Sequence, residues 1–113
     1  MKNENSLRLR HILDAINSIE NYLQAVDEAK FNQEPMRHDA VIRQLEIIGE
    51  AATYLTGELR EEHPNIPWQK IVGTRNRLIH GYTKASLKIV WEIVKNDLPT
   101  LKTEIEEILE NLT

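Results

Sequence analysis

A chain of 113 residues supplies one hydrophobic core and leaves no room for a second, so residues 1–113 are expected to form a single domain. Its 41% hydrophobic and 28% charged residues fit an ordinary globular balance, and four glycines and four prolines are too few for a turn-rich β fold. The absence of cysteine excludes disulfides and thiolate metal sites, and a net charge of −4 by itself speaks against a nucleic-acid binder.

The N-terminus, Met-Lys-Asn-Glu-Asn-Ser, carries no apolar run long enough for a signal peptide or a membrane span, and the expected compartment is the cytoplasm. Apolar residues then recur at Leu9, Ile12, Ile16, Ile19, Leu23 and Val26, in steps of three and four. Leu13 and Tyr22 widen that stripe, and the spacing predicts one amphipathic helix from Ser6 to Ala29. After a break at Phe31-Asn32, Pro35 suits the first turn of a second helix, where a missing N–H costs nothing. Val41, Leu45, Ile48, Ala52, Leu55 and Leu59 line that helix, with Gly49, Ala51 and Ala52 small enough for another backbone to approach. Gly57 lies near its end, and Glu58-Leu-Arg-Glu-Glu is expected to fray.

His63-Pro64-Asn65-Ile66-Pro67 is a stiff loop, because two prolines fix φ and disfavour helix in the residues before them. Pro67 opens a third, shorter helix that stops near Gly81, a residue suited to a left-handed C-cap. Thr83 to Ala85 read as a turn and Ser86 as the N-cap of the last helix. Trp91, Val94, Leu98, Leu101, Ile105, Ile108 and Leu112 stripe that helix, and Pro99 predicts a kink by removing the hydrogen bond to the Lys95 carbonyl. Ile89, Val90 and Ile93 make its first half apolar beyond one face. Three long helices and one short one describe an all-α, antiparallel four-helix bundle, and the doubled apolar face points to a second copy in a two-fold homodimer.

The charge is unevenly spread. From His63 to Trp91 there is no Asp or Glu, whereas Lys70, Arg75, Arg77, Lys84 and Lys88 all fall there. At 100° per residue, Trp68, Ile71, Val72, Leu78 and Ile79 share one arc of the third helix, and Arg75 lands within it. A guanidinium on an apolar arc is either paired, with Asp39 or Glu46 as structural partners, or lines a wetted cleft and meets an anion. Arg77 and Lys70 fall on the opposite, solvated side. His80 is one turn from Asn76, and as a residue near a helix end it also suits plain capping of the last carbonyls. An offset of five leaves Arg75 and His80 far apart around an ideal helix. They converge if the helix bends at Gly73, or if a second copy completes the site. His11, His38 and His63 have no partner at metal-ligand spacing, so no metal site is read.

The run Pro67-Trp68, Ile71-Val72-Gly73, Arg75-Asn76-x-Leu78-x-His80-x-Tyr82 and Ile89-Val90-Trp91-x-Ile93-Val94-x-Asn96-Asp97-Leu98-Pro99 resembles the HEPN-domain toxins of the HepT type. So does Arg37-x-Asp39-Ala40-Val41-x-Arg43-Gln44-Leu45-x-Ile47-Ile48-Gly49-Glu50-Ala51, and together the resemblance covers residues 6–110. Thr74 departs from the methionine that members often carry there, at a position outside the chemistry. The resemblance implies a helical dimer whose two Arg-x4-His motifs meet in one cleft, acting as a metal-independent endoribonuclease toxin that needs no cofactor. Arg75 and His80 would be catalytic and Asn76 supporting, while Lys70, Arg77, Lys84 and Lys88 would hold the RNA backbone. It also implies a nucleotidyltransferase antitoxin that silences the toxin by adding AMP to Tyr82. The alternative is a non-catalytic helical dimer that docks a nucleotidyltransferase or binds a nucleotide at the same residues.

Overall fold

The computed structural model describes the backbone of residues 2–78 and 84–112 and the side chains of residues 4–73 and 87–112. The fold is all-α, with no strand among the described residues. The helices are α1 (Lys2–Tyr22), α2 (Glu28–Asn32), α3 (Pro35–Thr53), α4 (Gly57–Glu62), α5 (Trp68–Leu78), α6 (Lys84–Glu92) and α7 (Leu98–Leu112). A π-helical turn, Ile93–Asp97, joins α6 to α7 without a loop.

The three-four stripes are buried as their spacing requires. Leu9, Ile12, Ile16 and Ile19 of α1, Val41, Leu45, Ile48 and Ala52 of α3, and Leu98, Leu101, Ile105 and Ile108 of α7 join one core cluster. Direction follows from the polar ties at the ends. Asn5, near the start of α1, exchanges side-chain hydrogen bonds with Thr56, just past α3, at 3.1 and 3.2 Å. At the other end the Arg37 guanidinium donates to the carbonyl of Tyr22, the last residue of α1. α1 and α3 are therefore antiparallel. Lys102 Nζ lies 2.7 Å from Glu20 Oε1 and sets the start of α7 beside the end of α1. α5 packs on α3, whose Gly49, Ala51 and Ala52 are all buried.

Two expected long helices are each divided. α1 stops at Tyr22, not at Ala29. Ala25 adopts φ 60°, and the Asp27 side chain starts α2 by accepting from the Lys30 N–H at 2.8 Å. Leu23 and Val26 remain buried on either side of the turn, so the apolar spacing runs on through a break in the helix. Left-handed backbone costs an alanine about 1–2 kcal/mol, and glycine escapes most of that penalty at a smaller entropic cost. Ala25→Gly is accordingly expected to stabilise the fold by roughly 0.5–1 kcal/mol, read as a higher midpoint in thermal unfolding. A lower midpoint would contradict the strained turn.

The second division lies after Thr53. Glu58-Leu-Arg-Glu-Glu does not fray but forms α4, because Thr56 caps it by accepting from the Leu59 N–H at 3.2 Å and Leu59 is buried. Arg60 Nη2 donates to the Ala52 carbonyl at 2.5 Å, supplying a donor to the end of α3. The last helix also starts earlier than expected. Lys84 and Ala85 are helical, so Ser86 lies inside α6 and is not its N-cap. Both are good helix formers, which suits them to its first turn.

Candidate active site and the cleft beside it

α5 is anchored at its start. Ile66 and Trp68 are buried, and the Trp68 indole donates to the His63 carbonyl at 3.0 Å, tying the first turn to the proline loop. Ile71 and Val72 are half-buried against the core, in line with the apolar arc read from sequence. The helix continues unbroken through Gly73 to Leu78. Its backbone carries Arg75, Asn76 and Arg77, with Arg75 one turn beyond Ile71; their side chains lie outside the described ones. His80 and Tyr82 lie outside the described residues altogether, as does the expected C-cap at Gly81.

Lys84 is the first residue of α6, with its side chain outside those described, and Lys88 is exposed on the same helix. Lys70 is exposed on α5, yet its charge is already engaged, with Nζ 3.1 Å from Asp97 Oδ2. Of the partners considered for Arg75, Glu46 lies 3.7 Å from Arg43. Ile89 is 38% exposed, whereas Val90 and Ile93, counted with it as a second apolar face, are buried within the protomer.

Sequence reasoning did not reach the cleft of about 190 Å³ between α3, α5, the π turn and α7. Leu45, Ile71, Ile93 and Leu101 form its apolar walls, and Lys70, Asn96, Asp97 and Glu104 its polar rim. The π turn helps to build this rim. Pro99 has no N–H to offer the Lys95 carbonyl, and the Leu98 N–H reaches back five residues to the Ile93 carbonyl. The interruption expected at Pro99 thus takes the form of a widened turn that carries Asn96 and Asp97. Pro99 itself was the available signal, but a proline alone does not say which side chains the wider turn presents.

Residues 12–108 match the family model described as ribonuclease HepT-like. A candidate RNase of Methanocaldococcus jannaschii is 43% identical over 98 residues, spanning 87% of this chain and 90% of that protein. A candidate RNase of Caldanaerobacter subterraneus is 36% identical, over 90% of this chain and 91% of its own. A candidate ribonuclease HepT of Thermococcus cleftensis is 35% identical, over 96% and 98%. No solved structure matches the chain significantly. With a match that spans all of α2 to α6 and the whole Arg75–Tyr82 run between them, this chain belongs to the HepT-like ribonuclease family.

Proposed function

We propose that the protein is the endoribonuclease toxin of a toxin–antitoxin pair, cutting RNA without a metal ion at a cleft where two copies bring their Arg75–His80 motifs together. The observation that carries this reading is the family match across residues 12–108, joined to the placement of Arg75 on a helix anchored to the core. The second copy rests on the family reading, since of the three residues read as a second apolar face Ile89 alone is exposed.

In the proposed reaction the 2′-hydroxyl attacks the adjacent phosphorus and the bond from phosphorus to the 5′-oxygen breaks. The products are a 2′,3′-cyclic phosphate and a free 5′-hydroxyl. One His80 takes the 2′-hydroxyl proton and the partner's His80 supplies a proton to the leaving oxygen, tasks that imidazole performs near neutral pH. Arg75 keeps its charge throughout and presents a planar fork to the phosphoryl oxygens, so it stabilises the charge that builds on them. Asn76 orients the imidazole of the histidine four residues on. Arg77, Lys84 and Lys88 hold flanking phosphates, in a stretch with no acid from His63 to Trp91. Lys70 contributes less than a free cation would, because Asp97 offsets it. Incubating the purified protein with single-stranded RNA in EDTA tests the activity. If the wild type leaves the RNA intact while shown to be unmodified, the nuclease reading fails and a nucleotide-binding module takes its place.

Silencing would come from a nucleotidyltransferase partner. The Tyr82 hydroxyl attacks the α-phosphorus of ATP, an AMP ester forms and pyrophosphate leaves. The new anion sits two residues from His80 and repels the RNA backbone by charge as well as bulk. Co-expression with that partner is expected to add the mass of one AMP to a peptide containing Tyr82 and to abolish cleavage, whereas Tyr82→Phe remains unmodified and active. Modification found only on other residues would refute Tyr82 as the acceptor.

A further inference from the structure

The cleft beside α5 has a size, a wall chemistry and a charge that together select one kind of occupant. Its volume of about 190 Å³ is below the roughly 300–1,000 Å³ of pockets that enclose drug-sized ligands, which leaves room for one planar ring system. Ile71, Ile93 and Leu101 supply apolar faces of the sort that take up an unstacked base. Among the described rim residues Lys70 is the single cation, and Asp97 and Glu104 more than balance it. A phosphate would be repelled there, whereas a neutral heterocycle would not.

The cleft's wall residue Ile71 also precedes Arg75 by one turn of α5. Ile71 and Arg75 are one turn apart on α5 and so share a helix face, about 6 Å apart along the axis at 1.5 Å per residue. That separation is close to one nucleotide step along an extended strand. A base seated against Ile71 would therefore belong to a nucleotide next to the phosphate that meets Arg75.

Asp97 decides which base fits. A carboxylate only accepts hydrogen bonds, and Lys70 engages its Oδ2 at 3.1 Å. Guanine is the base whose pairing edge offers two adjacent donors, N1–H and the N2 amine, to a carboxylate. Adenine and cytosine offer one amino group beside a ring acceptor that a carboxylate repels, and uracil offers one N–H between two carbonyls. We propose that this cleft is a base-recognition subsite, in which Asp97 reads a guanine adjacent to the cleaved phosphate and Asn96 and Glu104 border the ring. The proposal rests on the ribonuclease reading for its place in the reaction, but its binding chemistry can be measured apart from turnover.

Two readouts keep those layers distinct. In the first, guanosine and adenosine are titrated separately into the isotopically labelled full chain and amide resonances are followed. Guanosine is expected to shift Ile71, Ile93, Asn96 and Asp97, and adenosine to shift them about ten-fold less at equal concentration, the scale of one two-point base contact. In the second, a randomised RNA pool is cut and the product ends are sequenced, with guanine expected at a fixed position beside the cut. Asp97→Asn should lose the guanine preference about ten-fold. Lys70→Met, which breaks the same ion pair, should lower total cleavage but keep the preference. If the pool is not cut yet guanosine still shifts the cleft, the nuclease reading fails and the subsite stands. If the pool is cut but guanosine leaves the cleft unmoved, shifts it no more than adenosine does, or the cleft amides are covered by a second copy, the subsite is overturned. Equal loss of preference in Lys70→Met and Asp97→Asn would also overturn it, since the ion pair would then be merely structural.

Discussion

His80→Ala and Arg75→Ala are each expected to reduce RNA cleavage by at least 10²-fold while leaving the helical content and the thermal midpoint close to those of the wild type. The size follows from the proposed roles. A positioned acid or base contributes about 10²–10⁴ in rate, and one group stabilising developing charge contributes about 10²–10³. In a two-fold site the His80 substitution removes both base and acid, so its loss belongs at the upper end of that range. His80→Gln, which keeps some hydrogen bonding but cannot shuttle a proton, should be as inactive as alanine. Arg75→Lys should recover only part of the activity, because a point charge lacks the planar fork. The alternative for Arg75, an internal ion pair with the second long helix, predicts a different pattern. There Arg75→Ala would lower the thermal midpoint by many degrees, since it would strand a buried carboxylate at a cost of about 3–5 kcal/mol. An Arg75→Ala protein that unfolds early, beside a stable and inactive His80→Ala, would move Arg75 from the chemistry to the scaffold.

How far the sequence could be read depended on how local the physics was. Periodicity located Val41, Leu45, Ile48 and Ala52 on one buried face of α3, because burial of a helix stripe is written directly into residue spacing. It failed at Leu23–Val26 and at Tyr54–Thr56 for the same reason. Buried residues on either side of each turn kept the spacing of a helix while the chain left it, and Asp27 and Thr56, which start the following helices, are ordinary polar residues until a backbone N–H is placed beside them. The motif was legible as a set of residue types, and the buried Trp68 with half-buried Ile71 and Val72 agrees with the first half of the predicted arc. The cleft was not legible. Its walls come from Leu45, Ile71, Ile93 and Leu101, residues of α3, α5, the π turn and α7 that no local pattern connects. Nor did net charge along the chain reveal that Lys70 is offset, since its partner Asp97 lies beyond the acid-free stretch.

The largest expected effect on stability lies at Phe31, where Phe31→Ala should cost about 3–5 kcal/mol, the range for removing a buried aromatic ring. Phe31 is fully buried, and its ring stands 4.9 Å from that of His38 in α3 and 5.4 Å from that of Trp91 in α6. The backbone at the same residue matters too, because the His38 Nε2–H donates to the Phe31 carbonyl at 2.5 Å. α2 has only five residues and cannot persist on its own hydrogen bonds, so packing of this ring is what holds it down. With the ring gone, the buried His38 loses a neighbour, Trp91 loses its tie to α2, and a cavity opens between the helix that precedes α3 and the helix that follows the motif. A domain of this size commonly has about 5–15 kcal/mol of stability, so the variant should retain a small margin, with the thermal midpoint lowered by roughly 15–30 °C. Phe31→Leu should lose much less, since it keeps most of the apolar volume. Met36→Ala, 87% exposed at the start of α3, should stay within about 0.5 kcal/mol of the wild type. The comparison also has a functional consequence, because Trp91 lies on the helix that leaves the motif. At a temperature where Phe31→Ala is still folded, its RNA cleavage should fall below that of Met36→Ala. Equal cleavage by the two would show that α6 holds its place without the Phe31–Trp91 contact.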